Sequence, residues 1–289
     1  MSAEAIPTRD VVPGLSETTV HTESGYDFGG ATFDLNDPAD RDIVRFVLSQ
    51  ALFGEATGVY CGKSLYAAQS LEAARFYLRQ ARQELNHLDL FAEVFRSLDL
   101  KPTPAHWAIV LLSAHNNYYP LKVVMEHALG EGMVLDVFKD VLLQTLPDSH
   151  PGVPDVKKKL RVVAREEVEH IAWGERETRR LLVASPWLAT PYYGLLELQL
   201  LVAPYAVRRL TGAQTKAHPV LRHLEPFVAH VRDRVWKQGQ ALGFVPAVRP
   251  GALYRAYAMA FGVLLYVRSQ FARSRSALDK TYLHELGFD

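Results

Sequence analysis

The chain has 289 residues, 48% of them hydrophobic and 22% charged, a mix that suits one large domain or two small ones and excludes wholesale disorder. Lys and Arg total 32, as do Asp and Glu, and this zero balance gives no electrostatic reason to expect a nucleic acid or an anionic membrane as partner. The single cysteine, Cys61, excludes an internal disulfide and a four-cysteine zinc site, and makes a reducing cytoplasm the expected compartment.

Residues 1–37 show no sustained periodicity, are punctuated by Gly25, Gly29, Gly30 and Asn36, and read as an arm or extended lead-in. They hold no basic segment followed by an apolar run, so no signal peptide is expected. Four long helical patterns follow. The first runs from Pro38 to Ala67, with Val44, Leu48, Ala51, Leu52, Val59 and Gly62 on one face. Ser70 is the expected N-cap of the second, which reaches Ser97 with Arg79, Arg82, Asn86, Asp89, Glu93 and Arg96 toward water. Pro102 and Pro104 open a shorter apolar turn or helix ending near Asn116 and Asn117. The run without acids or bases from Pro102 to Leu121 is too broken by prolines and polar residues to be a membrane span. The third long helix is expected over Tyr119–Leu146 and the fourth over Asp155–Val183, with Pro147, Pro151 and Pro154 between them. Further helices are expected near 192–209, 219–242 and 251–275. No strand alternation of useful length is visible, so the fold class is all-α.

Glu-x-x-His occurs twice, as Glu84/His87 and Glu167/His170. Alone the pattern is weak, but both pairs fall at the centres of long helices and on their apolar stripes. The other two long helices each carry a central acid, Glu55 and Glu131. Four carboxylates and two imidazoles therefore meet at one level of a bundle. Such a group of buried acids repels itself unless cations answer it, and two divalent ions balance four negative charges. One Glu from each of two helices plus Glu-x-x-His from each of two others is the pattern of di-iron carboxylate bundles. Mixed carboxylate and imidazole donors suit iron or manganese. On the third helix Glu126 competes with Glu131; Glu126 follows Lys122 by four residues and can pair with it. His127 is open as an extra ligand, a partner of a ligand or a core histidine, and Glu166 is a second candidate for the shell around the ligands.

Over residues 40–183 the chain resembles the ferritin-like di-iron carboxylate superfamily, nearest to the ribonucleotide reductase small subunit and its relatives, the ligand-binding oxidases. EEVEHIAWGERETRR, residues 166–180, is similar to that group's fourth-helix segment, and GEGM, residues 130–133, to its third-helix motif. The resemblance implies a four-helix bundle at 38–185 holding an iron/iron or manganese/iron pair. Glu84 and Glu167 would bridge the metals, Glu55 and Glu131 would be terminal, and His87 and His170 would each bind one ion. Two departures stand out. The radical tyrosine of the reductase subunits is Phe91 here, and the valine and tyrosine that cross-link in the oxidases are Gly58 and Glu126.

The expected function is an O2-activating oxidase or oxygenase for a small apolar substrate, with an electron donor as a further partner and a homodimer as the default assembly. The alternatives are a ferroxidase handling iron, and a metal-stabilised helical binding protein without catalysis. The apolar segments 192–207 and 254–267 are expected to pack on the bundle as core, with a pocket wall as the second reading. His218, His223 and His230 are expected to be packing or surface residues, and Lys157–Lys159 a solvated helix start. With the four glutamates inside, 28 acidic residues remain against 32 basic ones, a mildly basic exterior.

Overall fold

The computed structural model describes residues 25–59, 68–104, 118–211 and 217–270; the side chains of 203–211 and 270 are not described. Among the described residues the chain is all-helical. Helix α1 is Pro38–Gly58, α2 is Leu71–Ser97 and α3 is the continuous run 119–145. Helix α4 is Val153–Ala184, α5 Ala189–Thr211, α6 Leu224–Leu242 and α7 Ala252–Gln270. The expected continuation of the first helix to Ala67, the short apolar segment before Asn117, Cys61 and residues 271–275 lie outside the described residues.

Local chemistry sets the helix starts. Asp37 caps α1 through Ala39 N at 3.0 Å, with Pro38 in the first turn, and Ser70 caps α2 through Ala73 N at 3.0 Å, as expected. Gly243, at φ +92°, ends α6 in the left-handed conformation. Helix α6 begins five residues later than expected, because the chain after Pro219 makes a 3-10 turn at Leu221–His223 first.

Helix α3 differs most from its periodicity. It carries two π stretches, Val123–Gly130 and Val137–Leu142, around an ordinary α segment Glu131–Asp136. In the first, Glu131 N–H donates to Glu126 O, five residues back. Gly130 is needed there, since a Cβ would come 2.8 Å from Met125 O.

The buried side chains form two large clusters. One joins Phe76, Tyr77, Tyr119, Val124, Leu129 and Trp173 to Tyr192 and Leu196 of α5 and Val235 and Leu242 of α6. The other joins Val44, Leu48, Phe91, Phe95, Phe138, Leu142 and Leu160 to Phe28, Phe33 and Leu35. Helices α1 and α4 therefore run from the second cluster toward the first, and α2 and α3 run the other way.

Residues 25–37 are extended, as expected of the lead-in, and they are strapped down rather than free. Phe33 N donates to Thr145 O at 2.9 Å, and Gln144 holds both Phe28 N and Tyr26 O. Gly29 and Gly30, both left-handed, turn the strap so that Phe28 and Phe33 point inward.

The C-terminal helices are not one layer on the bundle. Helices α5 and α6 reach its core, and α7 lies mainly along α5, where a Cβ on Gly194 would come 1.8 Å from Ala258 O. The far side of α7 leaves Leu253, Tyr257 and Leu264 exposed, while Ala258 joins the first apolar cluster and Leu265 and Tyr266 pack against it. Among the described residues no helix is long and apolar enough to cross a membrane.

Candidate metal centre

Four helices bring six expected ligands to one place between the two apolar clusters. Glu55 comes from α1, Glu84 and His87 from α2, Glu131 from α3, and Glu167 and His170 from α4. They form two overlapping donor groups: Glu55, Glu84, His87 and Glu167 in one, Glu84, Glu131 and His170 in the other, each with its donor atoms within 4.8 Å of one another. Glu84 is common to both groups. Five of the six residues are buried, and only the Glu131 side chain keeps 14% exposure.

Both imidazoles turn Nδ1 inward. His87 Nδ1 lies 2.8 Å from Glu55 Oε2, 3.3 Å from Glu167 Oε1 and 3.6 Å from Glu84 Oε2. His170 Nδ1 lies 3.1 Å from Glu167 Oε2 and 3.7 Å from Glu84 Oε1. Glu84 and Glu167 each therefore offer one oxygen toward His87 and the other toward His170. Both outer nitrogens are held too: His87 Nε2 is 2.9 Å from Glu166 Oε2, and His170 Nε2 is 3.0 Å from Gln83 Oε1. A partner on the far nitrogen fixes the ring and raises its basicity toward a metal. The two rings differ in this, since one is backed by a carboxylate and the other by an amide.

Without cations the group shares protons among its acids. Burial pushes the Glu55 carboxyl well above the usual range, and the charges of Glu167 and Glu84 add to this against the hydrogen bond with His87. Burial, then Glu167 and Glu84, raises Glu131 likewise. Burial also opposes charge on Glu167, but His170 and His87 outweigh it and hold that carboxylate ionised. Burial works against charged imidazoles, yet Glu166, Glu167 and Glu55 lift His87 and Glu167 and Glu84 lift His170 above the ordinary histidine range. Four acids and two imidazoles can meet this closely only by holding such extra protons or by holding cations. The donor set fits divalent ions, and the buried Glu55, Glu84, His87 and Glu167 group is able to hold one.

The two residues expected around the ligands differ in outcome. Glu166 sits on His87 as a partner. His127 faces Glu131 Oε1 only at 3.7 Å and the Gln80 amide at 3.4 Å, and no described group pairs with its Nε2. Burial, with Lys122 and His170 nearby, keeps it well below the usual histidine range and so neutral. It is boxed by Phe76, Tyr77 and Trp173. Glu126 binds Lys122 Nζ through both oxygens at 2.6 Å, which leaves the third helix's place in the cluster to Glu131.

Four contributors escaped the sequence. Gln83 holds His170, and Gln80 donates to Glu131 Oε1 at 3.1 Å and Glu84 Oε1 at 3.3 Å. Their signal was present, for Gln80 and Gln83 stand one helical turn before Glu84 and His87. Gly58 lies flush on Glu84, where a Cβ would come 2.4 Å from its carboxyl carbon. Gly174 lets α3 close on α4, since a Cβ would come 2.6 Å from Ala128 N.

The later histidines and the lysine run stay apart from the centre. His218 binds Asp40 at 2.6 Å and His223 binds Tyr26 OH at 3.1 Å, both holding the strap region. Lys157 pairs with Asp148 and Lys159 with Asp155 and Glu93. Comparison of the chain with protein-family models, curated proteins and solved structures found no match.

Proposed function

We propose that this protein is a ferritin-like dimetal oxidoreductase, an oxidase or oxygenase that uses O2 on a small apolar organic molecule. The observation that carries the reading is the pairing of two inward Nδ1 atoms with two carboxylates that each span both imidazoles. That arrangement is a frame for two adjacent ions, iron with iron or manganese with iron, and such a pair supplies stepwise electron exchange with O2 when bound. Glu84 and Glu167 would bridge, Glu55 and His87 would complete one position, and Glu131 and His170 the other. The helix directions also support a ferritin-like bundle, which is distinguished by one long crossover connection.

The chain's own part is binding, orientation and exclusion of water. Phe91, next to Phe138, closes the centre toward the strap side, and the stacked Phe76 and Trp173 close it on the other. Glu131, the most exposed ligand, marks the side from which a substrate can approach. An electron donor is a required partner for an oxygenase and an optional one for an oxidase.

The test is anaerobic loading with Fe(II), a count of bound ions per chain, and then O2 with consumption and near-ultraviolet absorption followed together. Two ions per chain and rapid O2 uptake are expected. Two bound ions without O2 uptake would establish the non-catalytic metal-stabilised reading instead. Elution far above a dimer with mineral retained would establish iron handling.

A further inference from the structure

A ladder of rings leads away from the centre on the side of α5. Phe76 lies 6.0 Å from the ligand ring of His170 and stacks on Trp173 at 3.7 Å with an interplanar angle of 6°. Trp173 is 5.5 Å from Tyr77, and Tyr77 is 6.3 Å from Tyr119, all between ring centroids. The neutral His127 touches Phe76, Tyr77 and Trp173 from the third side. These rings are buried, and each lies in van der Waals range of the next.

The far end has a separate chemistry. Tyr119 OH donates to Glu177 Oε1 at 2.5 Å. Arg180 grips the same carboxylate at 2.6 and 2.7 Å and is itself 51% exposed. A core tyrosine needs only some acceptor for its hydroxyl. Here the acceptor is a carboxylate anchored by a guanidinium that reaches solvent, so a phenolic proton has a defined destination. Burial and the Glu177 charge also push the Tyr119 phenol well above its usual range, so it does not lose a proton without losing an electron as well.

We infer that Trp173, Tyr77 and Tyr119 form a one-electron relay between the metal centre and the surface at Arg180, with Glu177 as the proton acceptor of Tyr119. This rests on the reading of the centre as an O2-oxidised dimetal site. In the step, Tyr119 gives one electron through Tyr77 and Trp173 to the oxidised centre, and its phenolic proton passes to Glu177. The products are a neutral tyrosyl radical, a protonated Glu177 and a centre one electron more reduced. An external one-electron donor, such as a reduced flavin or iron–sulfur protein, then returns the electron, and Glu177 returns the proton. The relay is separate from Phe91, which holds the position of the reductase radical and cannot be oxidised in this way.

The experiment uses the full chain, Fe(II)-loaded, with and without Tyr119→Phe, a change that removes one hydroxyl and keeps the ring. Metal content and the first burst of O2 uptake without reductant, which precedes the relay, are measured first and are expected to match the wild type, while O2 uptake sustained by an external one-electron donor is expected to fall several-fold in the variant. After an O2 pulse without reductant, freeze-quenched samples are read by electron paramagnetic resonance, with ring-deuterated tyrosine to identify the signal. A tyrosyl signal in the wild type, reduced at least tenfold in Tyr119→Phe, is expected. As a second readout, peptide mass spectrometry after repeated O2 cycles is expected to show several-fold more oxygen added to Trp173 in the variant, because the oxidising equivalent stalls there. Normal O2 uptake with neither the signal nor any difference at Trp173 overturns the relay and leaves the proposed function standing. Two bound ions with no O2 uptake overturns both.

Discussion

Glycine 58 is the residue on which the shape of the centre turns most directly. Glu84 has to lie between two imidazoles, and it does so by resting on a backbone that has no side chain at that point. Gly58 is the last residue of α1 and does not have a positive φ, so Ala there is compatible with the helix. The added Cβ would, however, push Glu84 out of place. The expected result is therefore split: metal-free Gly58→Ala keeps its thermal stability, while its metal affinity falls by roughly 10–100-fold, the usual effect of disturbing a ligand's support. Competition titration with a chelator of known affinity reads this, and an unchanged affinity would show that Glu84 is not a shared ligand.

The protons held by the metal-free cluster give a second consequence at this scale. Glu55 and Glu131 are raised, and so are His87 and His170, so each binds a proton more tightly than an ordinary side chain of its kind. Metal ions need these groups deprotonated. Loading should then release protons, and apparent affinity should fall as pH is lowered from about 8 to 6, within the range where ordinary histidine also titrates. Calorimetric titration in two buffers of different ionisation heat counts the protons. A loading that releases none and does not depend on pH would contradict the raised values.

At the scale of elements, the question is what holds Glu131, which comes from the least regular helix. Gln238 of α6 donates to Ala128 O within the first π stretch and to Glu175 of α4, both at 2.8 Å. Arg234, one turn earlier, binds Asp136 just before the second π stretch and also reaches Gln238 Oε1. Helix α6 thus clamps α3 on both sides of Glu131. Gln238→Leu would leave the buried Ala128 carbonyl and Glu175 without that donor, at a cost of about 1–3 kcal/mol. Beyond the lower melting temperature, the variant is expected to hold one ion per chain where two are proposed for the wild type, because only the Glu131 position is loosened. Metal analysis after gel filtration decides this, and full loading at wild-type affinity would remove the clamp.

The same helix shows where a sequence stops being readable. The Ser70 cap, the solvent stripe of α2 and the pairing of Glu126 with Lys122 follow from spacings of three and four residues within one helix, and they are visible in the chain. So is the convergence of the two Glu-x-x-His pairs, because central position on an apolar stripe dictates it. The π stretches depend on Gly130 meeting Met125 O, on Gly174 of α4 and on Gln238 of α6, partners that lie up to 110 positions away. No period within α3 reports them. The strap at 25–37 was illegible for a similar reason: it has no periodicity of its own and is fixed by Gln144, Thr145 and His223.

For the molecule as a whole, the decisive fact is that the polar centre lies between two large apolar clusters. Along α2, the ligands Glu84 and His87 fall between Tyr77 and Phe91; along α4, Glu167 and His170 fall between Val163 and Trp173. Each cluster ties several helices together, so the frame is expected to persist without metal, unlike small domains whose fold depends on their ion. The centre is then the weak layer, where two imidazoles and four acids are kept close by shared protons and by the hydrogen bonds of Gln80, Gln83 and Glu166. Ions that bind only the folded chain add stability according to their concentration over Kd, about 4 kcal/mol at a thousandfold excess. At ~2–4 °C per kcal/mol for a chain of this size, loading should raise the melting temperature by about 10 °C. The expectation has two halves. Chelator-treated protein should keep its helical circular dichroism at 25 °C, and its melting temperature should rise with added Fe(II) or Mn(II). Loss of helicity on chelation would mean that the two apolar clusters cannot hold the bundle alone, and a melting temperature indifferent to metal would mean that the six side chains do not bind it as a set.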